Sequence, residues 1–266
     1  MQTRRTFLTT LACGSAFALA ACGGSNDGAG NDAGAADAAA ATLSDDDARA
    51  KGDGVMDYAA YTAAEFESEV VIEAFVQGKQ SWWEDKATIY AQDPDGGYFI
   101  YNAQCTEDDY AKLVDGQKIK VTGYKTEWSG EVEIAEGGTI EIEDGLWIAT
   151  AADVTDKLGS DDLISFQNQK VAFKGLTVEA SDQDGKEVAF LYNYDGSGAA
   201  GDDLYFNASN GTDTFSFTVE SYLTGEGTDV YKLVTETLKI GDTIDMEGFL
   251  YWYEGPNPHI TSITIA

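Results

Sequence analysis

The sequence predicts a mostly β protein with short helices, built from two tandem copies of one module. Apolar and polar residues alternate at strand spacing, so that Val70, Ile72, Ala74 and Val76 would share one strand face. A repeat is the second observation: residues 113–124 (LVDGQKIKVTGY) match residues 238–249 (LKIGDTIDMEGF) at a constant spacing. The element order of the two copies is the third.

Each copy is predicted to contain three strands, a helix and then the remaining strands. In the first copy, residues 90–101 form a strand, a turn and a strand, and a short helix is predicted over 107–113. Residues 205–219 are the counterpart hairpin, and the second helix is predicted within 221–238. The repeated motif then supplies the fourth strand of each copy.

Glycines mark the repeated motif at two positions. Gly116 and Gly241 precede the fourth strand, where they would form the turn that starts it. Gly123 and Gly248 lie near its end, where a strand must coil sharply if the sheet closes on itself.

This order, together with the phrases IYAQDPDGG (89–97) and LVDGQKIKVTG (113–123), resembles the OB-fold family. It is most similar to the OB-type domains of bacterial lipoproteins and exported nucleases. The resemblance implies two five-stranded barrels, one over 61–148 and one over 149–266, the second with an insertion near 182–201. Closure would remove exposed sheet edges.

The N-terminus resembles a twin-arginine (Tat) export signal joined to a lipoprotein cleavage box. Arg4 and Arg5 precede an apolar run over 7–21, and small residues lead to Cys22. The run is short for a membrane-spanning helix, which needs about 20 apolar residues. The resemblance implies that residues 1–21 are removed and that Cys22 carries a lipid, which would hold the protein outside the cytoplasm on the outer face of the cell membrane.

Residues 22–60 are predicted to be a disordered acidic tether. They consist mainly of Gly, Ala, Asn, Ser and Asp, including the run Asp45–Asp47, and have little apolar surface to bury.

The chain is strongly acidic, with a formal net charge of -31 at pH 7. Loss of Arg4 and Arg5 with the signal would make it more negative still. Because binding to nucleic acid depends on cationic side chains that neutralise phosphates, the charge does not predict nucleic acid as a partner. Such acidity also suits the surface of a salt-adapted protein, but the basic residues beyond the signal are lysines apart from Arg49, so we prefer a Gram-positive type cell envelope and keep a salt-adapted organism as the alternative.

Aromatic residues cluster in the segments where OB-folds bind ligands. The resemblance places Trp82 and Trp83 after the first strand, Trp128 after the fourth, and Trp252 with Tyr253 at the equivalent position of the second copy. Such side chains stack on sugar rings or anchor protein partners. The alternative is that each Trp caps a barrel end. Trp147 lies between the copies and is expected to pack there.

Two acidic turns resemble the start of a calcium loop. Asp93 and Asp95 precede a glycine, as do Asp182 and Asp184, but no glutamate follows at the distance that a calcium loop requires. We therefore favour hairpin turns, with calcium at Asp93 and Asp95 as the alternative, and expect no other cofactor.

No enzymatic motif is present, so the chain is not expected to be an enzyme. Its single histidine, His259, is expected at the surface or in loop packing. Cys105, the one cysteine beyond the N-terminal region, is expected to be a small buried hydrophobe.

These observations predict a membrane-anchored binding or scaffold module for a protein or glycan ligand. The first alternative is an accessory OB-fold subunit of an exported nuclease or phosphatase, which would contact nucleic acid through lysines. The lysines nearest to a cluster are Lys79, Lys86, Lys118, Lys120 and Lys125. The second alternative is a purely structural acidic spacer.

Overall fold

A computed structural model describes residues 42–266. The predicted signal peptide, with Arg4 and Arg5, the predicted lipidation site Cys22 and most of the predicted tether lie outside these residues. Within the described part, no helix has the length and apolar character needed to cross a membrane.

The first barrel closes through a ring of antiparallel and parallel pairings. Its strands are β1 (Glu69–Lys79), β2 (Lys86–Asp93), β3 (Gly96–Gln104), β4 (Gln117–Trp128), β5 (Glu131–Ile134) and β6 (Thr139–Leu146), with helix α3 (Glu107–Lys112) between β3 and β4. Two helices precede it, α1 (Asp45–Arg49) and α2 (Tyr58–Ala63). The sheet order is β1-β2-β3-β5-β4-β6, and β1 also pairs with β4, which closes the barrel.

The second barrel repeats this arrangement. A short strand β7 (Ala152–Asp153) and two 3-10 helices (Thr155–Lys157 and Asp161–Phe166) lead to β8 (Lys170–Glu179). The remaining elements are β9 (Ser181–Gln183), β10 (Lys186–Val188), β11 (Leu191–Tyr192), β12 (Leu204–Ser209), β13 (Thr214–Val219), α4 (Asp229–Glu236), β14 (Thr243–Phe249) and β15 (His259–Ile265). Five of them, β8, β12, β13, β15 and β14, form the closed ring, and β9 to β11 lie in the predicted insertion. The predicted fold class, a mostly β chain with two OB-like barrels, is confirmed.

The repeated glycines have the roles that the sequence predicts. Gly116 and Gly241 adopt φ angles of +85° and +90°, which favour glycine, directly before β4 and β14. A Cβ atom at Gly123 would lie 2.6 Å from the Ile134 side chain, and one at Gly248 would overlap the backbone of His259. Both strands therefore need glycine where they bend.

The structure differs from the expected tether over residues 42–60. Leu43 donates its backbone N–H to the carbonyl of Leu146 at 2.7 Å, and Ala48 of α1 is buried against Phe75 and Trp147. The Trp147 indole donates to the Asp45 carboxylate at 2.8 Å, so this Trp packs beneath α1. Trp147 thus joins the N-terminal segment to the first barrel, whereas the sequence placed it between the copies.

A buried ion pair holds the same segment in place. The Lys51 ammonium donates to the Asp93 carboxylate at 2.7 Å and to the Glu73 carbonyl at 2.7 Å, and the Asp93 side chain is fully buried. Arg49, two residues earlier, pairs with Asp95 at 2.8 Å on the surface. Two ion pairs, one buried and one exposed, therefore connect the N-terminal segment to the β2–β3 hairpin.

The second barrel packs on the outer face of β2 and β3 of the first. Tyr90 of β2 stacks on Phe249 with ring centroids 4.4 Å apart, and its hydroxyl lies 2.9 Å from Nδ1 of His259. Phe99 of β3 contacts Tyr251 at 5.2 Å. His259 is buried in this contact, although the sequence suggested a surface or loop position, because the strand that it begins lies against the first barrel. The strand face that OB-folds commonly use for ligands is thus covered in the first barrel.

We predict that Lys51→Met destabilises the protein by about 3–5 kcal/mol, because it leaves the Asp93 charge buried without its cation. Arg49→Met is the matched control and should destabilise the protein far less, since its ion pair is solvent-exposed. Urea unfolding of both variants measures the difference. Equal small effects would show that the N-terminal segment is not part of the folded body.

Candidate binding site

The aromatic residues singled out from the sequence lie at two separate places. Strands β1 and β4 are antiparallel, with Glu69 opposite Tyr124 and Phe75 opposite Lys118. The loop with Trp82 and Trp83 follows the end of β1, and the turn after Trp128 follows the end of β4. These segments consequently lie at opposite ends of the strand pair.

Trp128, Trp252 and Tyr253 come together where the barrels meet. The Trp128 and Tyr253 rings are 5.0 Å apart, and a Cβ atom at Gly130 would lie 2.7 Å from the Trp252 ring. The backbone N–H of Glu254 donates to the Ser129 carbonyl at 2.7 Å. These three aromatic side chains are partly buried, and they join the turn after β4 to the turn after β14. Packing between the barrels therefore explains their presence without a ligand.

Trp82 and Trp83 have different environments. The Trp82 indole donates to the Cys105 carbonyl at 2.9 Å and is partly buried. Trp83 is 55% exposed, while its backbone pairs with Lys86. Glu84 and Asp85 complete the tight loop with φ angles of +46° and +57°. Adjacent residues in extended backbone point to opposite sides, which explains why one indole packs inward and the other outward.

A cavity of about 490 Å³ opens beside this loop. Its apolar floor is formed by Cys105, Leu113, Ile140 and Ile142. Its polar lining consists of Glu84, Asp85, Lys86, Asn102, Gln104, Thr106, Asp109 and Glu136. The cavity therefore combines an apolar base with a rim of carboxylates and amides next to an exposed indole.

The sequence did not identify this cavity. Its lining comes from the β1–β2 loop, the end of β3, the start of α3 and the β5–β6 segment, which the barrel topology brings together. The nearest signal in the sequence was the aromatic pair at Trp82 and Trp83.

The pKa values of the titratable groups in the cavity are shifted in different directions. Burial, and then the charge of Asp109, raises the pKa of the Cys105 thiol. Hydrogen bonds from Lys112 and Thr106 lower the pKa of Asp109, and the hydrogen bond to Glu136 at 2.6 Å raises the pKa of Lys86. The lowered pKa of Asp109 favours its carboxylate and the raised pKa of Cys105 favours its thiol, so the cysteine is not an activated nucleophile at neutral pH.

The contacts of Asp93 and Asp95 favour the hairpin turn over a calcium loop. One Asp93 oxygen accepts the backbone N–H groups of Asp95 and Gly96, and the other accepts Lys51 and the Tyr98 hydroxyl. Asp182 likewise accepts the Gly185 N–H at 3.0 Å in the β9–β10 turn. Among residues 42–266, no group of three or more His, Cys, Asp or Glu side chains is arranged to hold a metal ion.

Four of the five lysines considered for nucleic acid make contacts within the chain. Lys79 donates to the Tyr110 carbonyl and Lys86 pairs with Glu136. Lys118 pairs with Glu73 and Glu143 at 2.8 and 2.9 Å. Lys125 donates to three carbonyls of the α2 region. The ammonium groups of these four lysines are therefore already engaged within the chain.

No protein-family model matches the chain, and no curated protein matches it. Similar solved structures include HIN domains. The tetrameric p202 HIN2 domain has a TM-score of 0.32 at 10% identity and covers 76% of this chain and 96% of its own. A murine DNA-binding protein bound to double-stranded DNA has a TM-score of 0.34 at 12% identity, with 74% and 96% covered. The Ifi202 HINa domain with 20-bp double-stranded DNA has a TM-score of 0.32 at 11% identity, with 75% and 98% covered.

The structures with DNA among these neighbours contradict the sequence-based expectation that nucleic acid is not a partner. That expectation used the net charge of the whole chain, whereas a bound duplex contacts one local surface. Net charge alone therefore does not exclude nucleic acid here.

We predict that Cys105 in the folded protein reacts with iodoacetamide more slowly than glutathione at pH 8. Its raised pKa leaves less thiolate at that pH than a solvent-exposed thiol has. Mass mapping of the Cys105 peptide over time measures the rate, and the same chain in urea is the control. Equal rates in the folded and unfolded chain would contradict the buried, protonated thiol.

Proposed function

We propose that this protein is a non-enzymatic binding module that takes a glycan in the cavity beside Trp83, and that it is displayed on the outer face of the cell membrane through a lipid on Cys22. The observation that carries the glycan is a cavity with an apolar base and polar side chains, whose lining residue Glu84 directly follows the exposed Trp83.

The chemistry of the cavity matches a sugar. A pyranose ring has an apolar face that stacks on an indole and hydroxyl groups that donate to carboxylates and exchange hydrogen bonds with amides. Asn102, Gln104, Asp109 and Glu136 supply these groups, while Ile140 and Leu113 form an apolar base. A volume of about 490 Å³ falls within the roughly 300–1,000 Å³ range of small-ligand sites.

The disposition of reactive groups supports binding over catalysis. Cys105 is buried and its pKa is raised. His259 faces Tyr90 and Tyr251 in the contact between the barrels, remote in the fold from the cavity lining. The Thr106 hydroxyl donates to the Asp109 carboxylate at 2.9 Å, but Thr106 also accepts the Asp109 N–H as the N-cap of α3, so capping accounts for this pair.

The membrane anchor follows from the N-terminal pattern alone. Replacing the cysteine by serine removes the thioether-forming sulfur, so we predict that Cys22→Ser moves the protein from the membrane fraction to the soluble fraction. Fractionation followed by immunoblotting checks this outcome, and Cys13→Ser is the matched control. Retention of Cys22→Ser in the membrane would contradict the anchor.

Calorimetric titration tests the ligand. We expect neutral oligosaccharides, such as cell-wall glycan fragments, to bind the wild-type chain, and Trp83→Ala to weaken binding roughly tenfold, which corresponds to about 1.4 kcal/mol. Because Trp83 is exposed, its loss should change the free energy of unfolding by less than about 0.5 kcal/mol.

Tyr194→Ala is the control for this experiment, since Tyr194 is 63% exposed on the insertion of the second barrel. It should leave oligosaccharide affinity unchanged. Binding of a 20-bp DNA duplex, without binding of any oligosaccharide, would overturn the glycan proposal in favour of a nucleic-acid ligand.

A further inference from the structure

The cavity proposed to take a glycan is lined by carboxylates from three separate parts of the chain. Glu84 and Asp85 lie in the loop between β1 and β2, Asp109 lies in α3, and Glu136 lies between β5 and β6. One basic residue, Lys86, belongs to the same lining. Four acidic residues against one basic residue give the lining an excess of three formal negative charges.

Two ammonium groups are already used by two of these carboxylates. Lys86 donates to Glu136 at 2.6 Å, and Lys112, outside the lining, donates to Asp109 at 2.7 Å. Among residues 42–266, no ion pair involves Glu84 or Asp85. The excess negative charge of the cavity therefore lies mainly in the β1–β2 loop.

Hydrogen bonds of the backbone hold this loop in place. The Trp83 N–H donates to the Lys86 carbonyl at 3.3 Å, and the Lys86 N–H donates to the Trp83 carbonyl at 2.9 Å. The N–H of Cys105, which follows β3, donates to the Asp85 carbonyl at 2.8 Å. The backbone that carries Glu84 and Asp85 is thus fixed before a ligand arrives, which reduces the entropy lost on binding.

This excess of negative charge discriminates among glycans. Hexoses are neutral, uronic acids are anionic, and a sugar with a free amine is cationic below the pKa of that amine. Carboxylates attract the cationic sugar and repel the anionic one. An ammonium group also donates charge-assisted hydrogen bonds to carboxylates, which are stronger than those of a hydroxyl. The formal net charge of -31 on the whole chain acts in the same direction at long range.

We propose that the cavity selects glycans that carry a free amine, such as oligomers of unacetylated glucosamine, and that Glu84 and Asp85 supply the selecting charge. This inference rests on the glycan site proposed above and adds the class of sugar to it. The sugar ring would lie on the apolar base of Leu113, Ile140 and Ile142, with its amine toward the β1–β2 loop.

Calorimetric titration of the full chain with matched trisaccharides tests the selection. Trimers of glucosamine and of glucose differ only in an amine or a hydroxyl on each ring, and a galacturonic acid trimer supplies the opposite charge. The titrations are run at about pH 6, because an amine similar to an α-amino group, with a pKa of about 7.7–8.0, is protonated there.

The glucosamine trimer should bind wild type roughly fivefold more tightly than the glucose trimer, as one partly exposed ion pair would give, and the galacturonic acid trimer should bind most weakly. This order is expected at an ionic strength of about 0.01 M, where the Debye length is about 30 Å. At about 1 M the Debye length falls to about 3 Å, and the preference for the amine should disappear.

The double variant Glu84→Gln with Asp85→Asn removes both charges while keeping the side-chain size, and Asn tolerates the left-handed backbone of residue 85. The ratio of the glucosamine and glucose affinities should fall to about one. Glu127→Gln with Glu187→Gln is the matched control. It removes the same charge from exposed positions on β4 and β10, and it should keep the wild-type ratio.

The outcomes separate this inference from the function on which it rests. Equal affinities of the glucosamine and glucose trimers for wild type would overturn the selection for an amine and leave the glycan site in place. Trilysine carries ammonium groups without sugar rings, so its binding as tightly as the glucosamine trimer would overturn an amino sugar as the source of the amine. Failure of every trisaccharide to bind would overturn the glycan site itself.

Discussion

The stacking of Tyr90 on Phe249 is the contact on which the arrangement of this protein depends. Tyr90 lies on the outer face of β2, and its ring is parallel to that of Phe249 within 4°. His259, at the start of β15, accepts or donates one hydrogen bond with the Tyr90 hydroxyl and stacks on Tyr251 at 4.6 Å. These rings form an aromatic layer between the two barrels. The layer covers the β2–β3 face of the first barrel, which would otherwise be open to ligands.

This layer determines where a ligand can be bound. With the β2–β3 face of the first barrel covered, and Trp128 packed on Tyr253, the exposed aromatic side chains of the first barrel include Trp83 and, at the other end of β1 and β4, Tyr124. The end of the barrel beside Trp83 is open because α3 and the β5–β6 segment stand apart there, forming the cavity. The binding role proposed for this end rests on its cavity and its exposed indole rather than on the fold class, which hosts many functions.

The sequence predicts the barrels well because the relevant signals are local. Strand alternation, the two-residue turn after Asp93 and the glycines at 116 and 241 act over a few neighbours, and each has the predicted role. Prediction from the sequence fails for contacts between segments that are distant along the chain. The run Asp45–Asp47 reads as solvated, yet Asp45 caps the Trp147 indole and Ala48 is buried, because the partners lie 100 residues away along the chain. His259 and the cavity were missed for the same reason.

The acidic residues show most clearly that the sequence does not reveal contacts between distant segments. The 47 acidic residues look equivalent in the sequence, and most are solvated in the described residues. Burial separates a few of them: the four donors to Asp93 include the Lys51 ammonium, whereas the donors to Glu131 are the Trp252 backbone and the amides of Gln167 and Asn168, which are uncharged. Asp93 is thus complete within the chain, and its charge stabilises the fold through Lys51. Glu131 has no such cation beside it in the described residues, and burial raises its pKa well above the ordinary value, so the protonated carboxyl is favoured at the joint between the barrels.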